Sequence, residues 1–138
     1  MRLLPLLLLI SSCAHSGEVK LDVDSILNKE HYSSVFKQAF INIYDQKPNF
    51  NTEDYLFTYS CGGGAVCGSV FDPSFNDFIS LPDDFIGASD VQAFKVEFNA
   101  LSNKVCIWGQ SAYNAELYNG KCFIYKDKNF KESNIPSK

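Results

Sequence analysis

The sequence predicts an α+β domain in which one N-terminal helix packs on a five- or six-stranded, mainly antiparallel sheet stapled by two disulfides. Three observations carry that expectation. Residues 32–44 repeat apolar side chains at helical spacing, residues 54–126 break into short β-type runs punctuated by turn chemistry, and four cysteines lie within those runs. A helix followed by antiparallel strands is the α+β arrangement, with the helix covering the sheet or one of its edges.

In the helix, Tyr32, Val35, Phe36, Ala39, Phe40, Ile43 and Tyr44 recur at intervals of three and four, one apolar stripe. Asn28 or Ser33 is a suitable N-cap, and Lys47-Pro48 ends the element because the residue before proline avoids the helical region. Asp24-Ser25-Ile26-Leu27 reads as a separate turn or as an extension of the same helix. Tyr55–Tyr59 is aromatic and β-branched, and Cys61-Gly62-Gly63-Gly64 interrupts it before Val66–Phe71. Asp72-Pro73-Ser74-Phe75-Asn76 is a turn that uses the fixed φ of proline. Asp77–Leu81 is a short strand closed by Pro82. Val91–Asn99 alternates Phe94, Val96 and Phe98 against Lys95 and Glu97, as a half-buried strand does. Lys104–Gly109 and Lys121–Lys126 are further strands, and Asn119-Gly120 is a tight-turn signal that suggests a small hairpin within residues 110–120. The polar stretch 131–138 is expected to fray, leaving 24–130 as one domain.

Hydrophobic residues make up 46% of the chain and aromatics 14%, with 12 Phe and 7 Tyr, which excludes disorder for most of its length. The net charge is −4 and no stretch gathers Lys or Arg into a stripe, so a nucleic-acid role has no electrostatic basis. Cys61, Cys67, Cys106 and Cys122 are an even set suited to an oxidising compartment. They permit three pairings, of which Cys61–Cys67 and Cys106–Cys122 are favoured because each joins segments expected to be neighbours.

The unusual run Cys61-Gly62-Gly63-Gly64-Ala65-Val66-Cys67 admits several chemistries. A redox pair would be spaced Cys-x-x-Cys at a helix start, where the dipole lowers the thiol pKa. A metal site would need ligand-spaced His or further Cys, and the chain holds only His15 and His31. A phosphate loop would continue into Gly-Lys-Ser/Thr and a helix. The pattern instead reads as a disulfide-clipped loop whose glycines permit positive φ; neither a metal nor another cofactor is expected. His31 is the single histidine placed to act in a Ser–His–acid set. Asp83 and Asp84 are adjacent carboxylates better suited to a solvated turn than to a facing catalytic pair. Trp108 and the Phe/Tyr positions suit core packing more than carbohydrate stacking.

Arg2, the apolar stretch Leu3–Ile10 and small Ser11 and Ser12 follow the order of a secretory signal, too short to span a bilayer. Ile10-Ser11-Ser12-Cys13 resembles the lipobox of bacterial lipoproteins. The resemblance implies cleavage after residue 12, a diacylglycerol on the Cys13 thiol and a third chain on its new amino group, a combination that anchors stably. It leaves 126 residues of net charge −5, from 11 Lys against 16 Asp and Glu, with residues 13–23 as a tether. Setting Cys13 aside also leaves the even cysteine set. Ala14 after Cys13, in place of Asp, implies the periplasmic face of the outer membrane by the enteric sorting rule. Farther along, Lys47-Pro48-Asn49-Phe50, Tyr55-Leu56-Phe57, Cys61-Gly62-Gly63-Gly64, Cys67-Gly68-Ser69-Val70-Phe71-Asp72, Leu81-Pro82 and Ser102-Asn103-Lys104-Val105 resemble a group of uncharacterised small exported bacterial proteins. Ser60 stands where that group usually has Gly, and Ser74-Phe75-Asn76 replaces its Thr-Gly turn. This likeness implies fold and export and transfers no activity.

The resulting expectation is a lipid-anchored envelope protein that acts as a non-enzymatic binding or inhibitor module, with a protein partner in the periplasm. Its possible binding loop comprises Gly62, Gly63 and Gly64 together with Asp83 and Asp84. In size, anchor and architecture the chain is similar to periplasmic lysozyme inhibitors and to immunity proteins against periplasmic toxins, which makes an immunity protein one alternative. A small envelope hydrolase using His31 and a nearby acid is the other.

Overall fold

A computed structural model describes residues 20–134. Two helices, α1 (Val23–Leu27) and α2 (Ser34–Tyr44), precede eight strands. These are β1 (Tyr55–Gly62), β2 (Ala65–Asp72), β3 (Asp77–Ser80), β4 (Phe85–Ile86), β5 (Lys95–Glu97), β6 (Lys104–Gln110), β7 (Leu117–Lys126) and β8 (Asn129–Ser133). The α+β class, the antiparallel pairing and both disulfides agree with the sequence reading. The single sheet of five or six strands does not, since eight strands form two sheets of four. One sheet runs β1-β2-β3 with β4 also beside β2, and a second runs β5-β6-β7-β8.

The reason lies in the side chains of β1 and β2, which are apolar on both faces. Tyr55, Phe57 and Phe71 face the helices, where they join Ile26, Leu27, Phe36, Phe40 and Tyr44. Leu56 and Val70 face the other way, onto Val105, Ile107, Phe123 and Tyr125 of the second sheet. Helices, first sheet and second sheet are therefore three layers with two apolar seams, and a sheet buried on both sides needs such a partner layer. Gly68 permits the close approach at one seam, since a Cβ there would lie 2.2 Å from Leu81 Cδ1.

Local chemistry accounts for each helix. Ser33 caps α2, its Oγ accepting from the Phe36 N–H at 3.1 Å. The stripe seats Phe36, Phe40 and Tyr44 in the core, while Val35 is turned to solvent. The stretch around Asp24 forms its own helix, capped by Asp22, and Asn28 closes α1 and does not open α2. Lys20, placed in the tether by sequence, donates to the Tyr44 carbonyl at 2.6 Å and so is docked at the C-terminal end of α2.

Three further expectations are corrected. Only Lys95–Glu97 of the run 91–99 pairs as a strand, because the Ser89 hydroxyl accepts from the N–H groups of Val91 (3.2 Å) and Gln92 (3.3 Å) and holds that part in a turn. Asn119-Gly120 does not turn a hairpin. Ile107 pairs with Lys121 and Trp108 with Asn119, so Gly120, at φ 73°, is the extra residue of a β-bulge. The actual β6–β7 turn is Ser111–Glu116, where the Ser111 N–H donates to the Glu116 carbonyl at 2.8 Å. Finally, the polar end does not fray at residue 131: β8 continues to Ser133 as an edge strand, with the Phe130 ring centroid 5.1 Å from that of Tyr125 and the rings tilted by 50°.

Candidate functional site

The β1–β2 hairpin ends in Gly62, Gly63 and Gly64 at φ of 99°, 62° and 79°. Nothing lies within 4 Å of a Cβ built at any of them, so the left-handed backbone and not crowding demands glycine here. Cys61 and Cys67 close the tip with a disulfide whose Cα atoms are 5.7 Å apart. Cys61 is exposed and Cys67 is buried, so the clip ties a solvent-facing turn to the core.

Strand β4 brings the second predicted segment to the same place. Phe85 and Ile86 pair with Val66 and Ala65, and the Gly87 N–H donates to the Gly64 carbonyl at 2.9 Å. Asp83 and Asp84 precede that strand directly. A third segment, not singled out from sequence, completes the cluster: Phe85 bridges to Ser111, and the Ala112 N–H donates to the Asp84 carbonyl at 2.8 Å. Ser111 is buried and its hydroxyl accepts from the N–H groups of Tyr113 (3.2 Å) and Asn114 (3.4 Å), which orders the turn. Tyr113, 78% exposed, donates its hydroxyl to Asp84 Oδ2 at 2.5 Å.

The electrostatics of the cluster are acidic with neutral phenols around it. Burial and the Asp84 charge push the Tyr59 hydroxyl up. Burial first, then Asp83, pushes Tyr118 up to about 12. The hydrogen bond to Asp84 and its charge raise Tyr113. All three phenols thus stay protonated donors beside carboxylate acceptors at neutral pH. Lys121 stands at the edge of the cluster, 4.6 Å from the Tyr118 ring, with its charge paired to Glu116 at 3.2 Å and Glu132 at 3.6 Å. Such a surface suits a partner that presents cationic side chains or N–H donors.

His31 shares only Tyr59 with this cluster. It lines a concavity of about 260 Å³ with Tyr32, Tyr59, Ser69, Asp77 and Ser80. Asp77 is held by Lys128 at 2.6 Å, and that bond keeps its carboxyl below the usual range. Among the described residues no hydrogen bond links the His31 imidazole to a serine or a carboxylate. Trp108 is half-buried, with the Lys95 ammonium 5.0 Å from the centroid of its ring. Among the described residues no helix is long and apolar enough to cross a membrane, and no three His, Cys, Asp or Glu side chains gather as metal ligands. Cys13 and the signal-like run 1–12 lie outside the described residues.

Of the residues expected to form a binding loop, Gly62, Gly63, Gly64, Asp83 and Asp84 are brought to one end of the molecule through β4. Tyr113, Tyr118 and Ser111 were missed, because their only connection to Asp83 and Asp84 runs through pairing between distant segments. No protein-family model matches this chain, and no curated protein and no solved structure matches it either.

Proposed function

We propose that this is a lipid-anchored protein of the bacterial cell envelope that works by binding a protein partner, with the hairpin-tip cluster as its docking surface. The observation that carries the reading is the convergence of three segments: the clipped Gly62–Gly64 turn, Asp83-Asp84 and the Tyr113 turn. An inhibitor needs a protruding element whose shape is set before binding, since prior ordering reduces the entropy lost on association. The disulfide and the bonds of Ser111 and Asp84 provide that order.

The position of the tip fits the anchor. The chain arrives at Lys20 beside Tyr44, whose ring is 5.0 Å from that of Tyr55 at the first residue of β1. Gly62 is at the other end of that eight-residue strand, about 23 Å away at the usual rise. A lipid on Cys13 would thus join the described domain at the pole opposite the tip, which favours a docking surface turned away from the membrane. That geometry suits a soluble periplasmic partner, such as an enzyme or a toxin.

Affinity capture from envelope extract tests this. The wild-type chain is expected to retain a partner that Asp84→Asn/Tyr113→Ala binds at least tenfold more weakly, a loss of about 1.4 kcal/mol. Lys131→Ala, an exposed change at the far edge of the second sheet, should bind as wild type. Retention that ignores the tip variant, or no retained partner at all, would sink the docking reading.

A second reading has its own observation. The concavity that His31 shares with Ser69, Ser80 and Asp77 is where a small envelope hydrolase would hold its general base. If hydrolysis of an envelope ester or amide is detected, His31→Ala should reduce kcat at least 100-fold. Unchanged turnover in that variant removes the hydrolase.

A further inference from the structure

Two carboxylic side chains lie buried where the two sheets meet, with no cation among the described residues paired to them. Asp54 is 3% exposed, Asp72 4% and Tyr125 of β7 2%. Asp72 accepts from the Tyr125 hydroxyl at 2.7 Å through one oxygen, and from the Ser74 N–H and hydroxyl at 3.0 and 2.5 Å through the other. Asp54 Oδ2 accepts from Asn51 Nδ2 at 2.8 Å. Every one of these donors is neutral, and among the described residues no Lys, Arg or His forms an ion pair with either acid. The charges that bear on Asp54 are all negative: Asp72 from β2 and Glu53 from its own turn. Tyr125, facing from β7, is itself held protonated by burial and by Asp72. The adjoining loop Asn99–Ser102 carries no titratable side chain.

Asp54 also terminates a small strained turn. Its N–H donates to the Phe50 carbonyl at 2.9 Å, and Phe50 returns the bond at 3.1 Å. Between them Asn51 and Thr52 adopt φ of 47° and 72°, unfavourable for residues with a Cβ. That turn is what reaches the second sheet: the Asn51 N–H donates to the Ser102 carbonyl at 3.0 Å and the Thr52 N–H to the Ala100 carbonyl at 2.6 Å.

We propose that Asp54 and Asp72 form a pH-sensitive clasp between the two sheets, closed by a proton on Asp54 and loosened when that proton leaves to solvent. Two buried like charges that bear on each other are costly, so Asp54 holds its proton to a higher pH in the folded state than in the unfolded chain. The ordinary value of 3.8 for Asp54 is pushed up to about 6, by burial first and by Asp72 and Glu53 after it, against the opposing Asn51 bond. An acid whose folded value is raised binds more protons folded than unfolded, so its contribution favours the native state at low pH and is lost as pH rises through about 6. The sign is opposite to that of the salt-bridged carboxylates that drive ordinary acid unfolding. The clasp is independent of what the hairpin tip binds.

Amide hydrogen exchange on the oxidised protein between pH 5 and pH 7.5 tests it, with protection factors corrected for intrinsic rate. Protection at Asn51 and Thr52 should fall at least tenfold over that range, since one unit of pKa difference is tenfold in the underlying equilibrium. Asp54→Asn, which keeps an acceptor for Asn51 and cannot ionise, should hold its pH 5 protection throughout. Wild-type protection that is flat with pH overturns the clasp, as does the same fall persisting in Asp54→Asn. Should that variant fail to fold, the carboxyl carbon shift of Asp54 in the wild type decides: a midpoint near 6 supports the clasp and one near 4 overturns it.

Discussion

Phe40→Ala is expected to lower the unfolding free energy by about 4 kcal/mol, the middle of the range for a buried phenylalanine truncated to alanine. Phe40 is completely buried in the seam between α2 and the first sheet. Its ring centroid lies 4.9 Å from that of Phe78, 5.0 Å from those of Tyr44 and Phe71, and 5.9 Å from that of Phe57. Edge-on and offset aromatic pairs each add about 0.5–1.5 kcal/mol beyond area burial, so the loss combines transfer, cavity and ring-contact terms. The eleven-residue α2 cannot compensate, because a helix of that length is marginal on its own and relies on the face it buries. Set against a total stability of about 5–15 kcal/mol for a domain of this kind, the change removes a large share. Urea unfolding of the oxidised protein checks it: the midpoint should fall while the slope stays constant. Val35→Ala, on the exposed side of the same helix, should shift stability by less than about 0.5 kcal/mol. A Phe40→Ala loss under 1 kcal/mol would mean that the seam does not hold the helix as described.

That seam was legible in the sequence and its counterpart was not, for physical reasons. The spacing of Phe36, Phe40 and Tyr44 has a helical period, and Ser33 caps by its own chemistry, so α2 follows from local information. The same holds for Cys61–Cys67, whose partners sit 6 residues apart across a glycine turn. The second sheet follows from no local signal. Tyr55-Leu56-Phe57 reads as one apolar run whether one or both faces are covered, and only the presence of Val105, Ile107 and Phe123 opposite Leu56 distinguishes the two. Strand β4 is two residues long, below any useful period, yet it is what carries Asp83 and Asp84 to the glycine tip. Asn119-Gly120 has the composition of a hairpin turn, but the left-handed freedom of Gly120 serves a bulge. The Asp72–Tyr125 bond joins positions 53 residues apart, and aspartate and tyrosine carry no spacing that would pair them in advance.

Removing the Cys106–Cys122 bridge as Cys106→Ala/Cys122→Ala is expected to cost about 3 kcal/mol, and more than the loss of Cys61–Cys67 as Cys61→Ala/Cys67→Ala, about 2 kcal/mol on loop entropy alone. Sequence separations of 16 and 6 give the order, because the longer closed loop frees more of the unfolded chain when cut. Location widens the gap. Cys106 and Cys122 face each other in register on β6 and β7, the two inner strands of the second sheet, and both are buried. Cutting that bridge also removes packed sulfur from the outer face of the sheet whose inner face carries Val105, Ile107 and Phe123. Cys61 lies at an exposed tip within a register shift, where the hairpin below it is already paired from Tyr55 to Ser60. The tip clip therefore acts mainly on the shape of the docking surface, and its loss should weaken partner capture more than it weakens the fold. Alanine is the replacement of choice, since serine at the buried positions 67, 106 and 122 would bury a hydroxyl without a partner. Urea unfolding of the two double variants and of the variant lacking both bridges measures all three terms, and the combined loss should equal the sum within about 0.5 kcal/mol for sites this independent. A Cys61/Cys67 variant that proved the less stable of the two would show that the tip, and not the centre of the second sheet, holds the strands together.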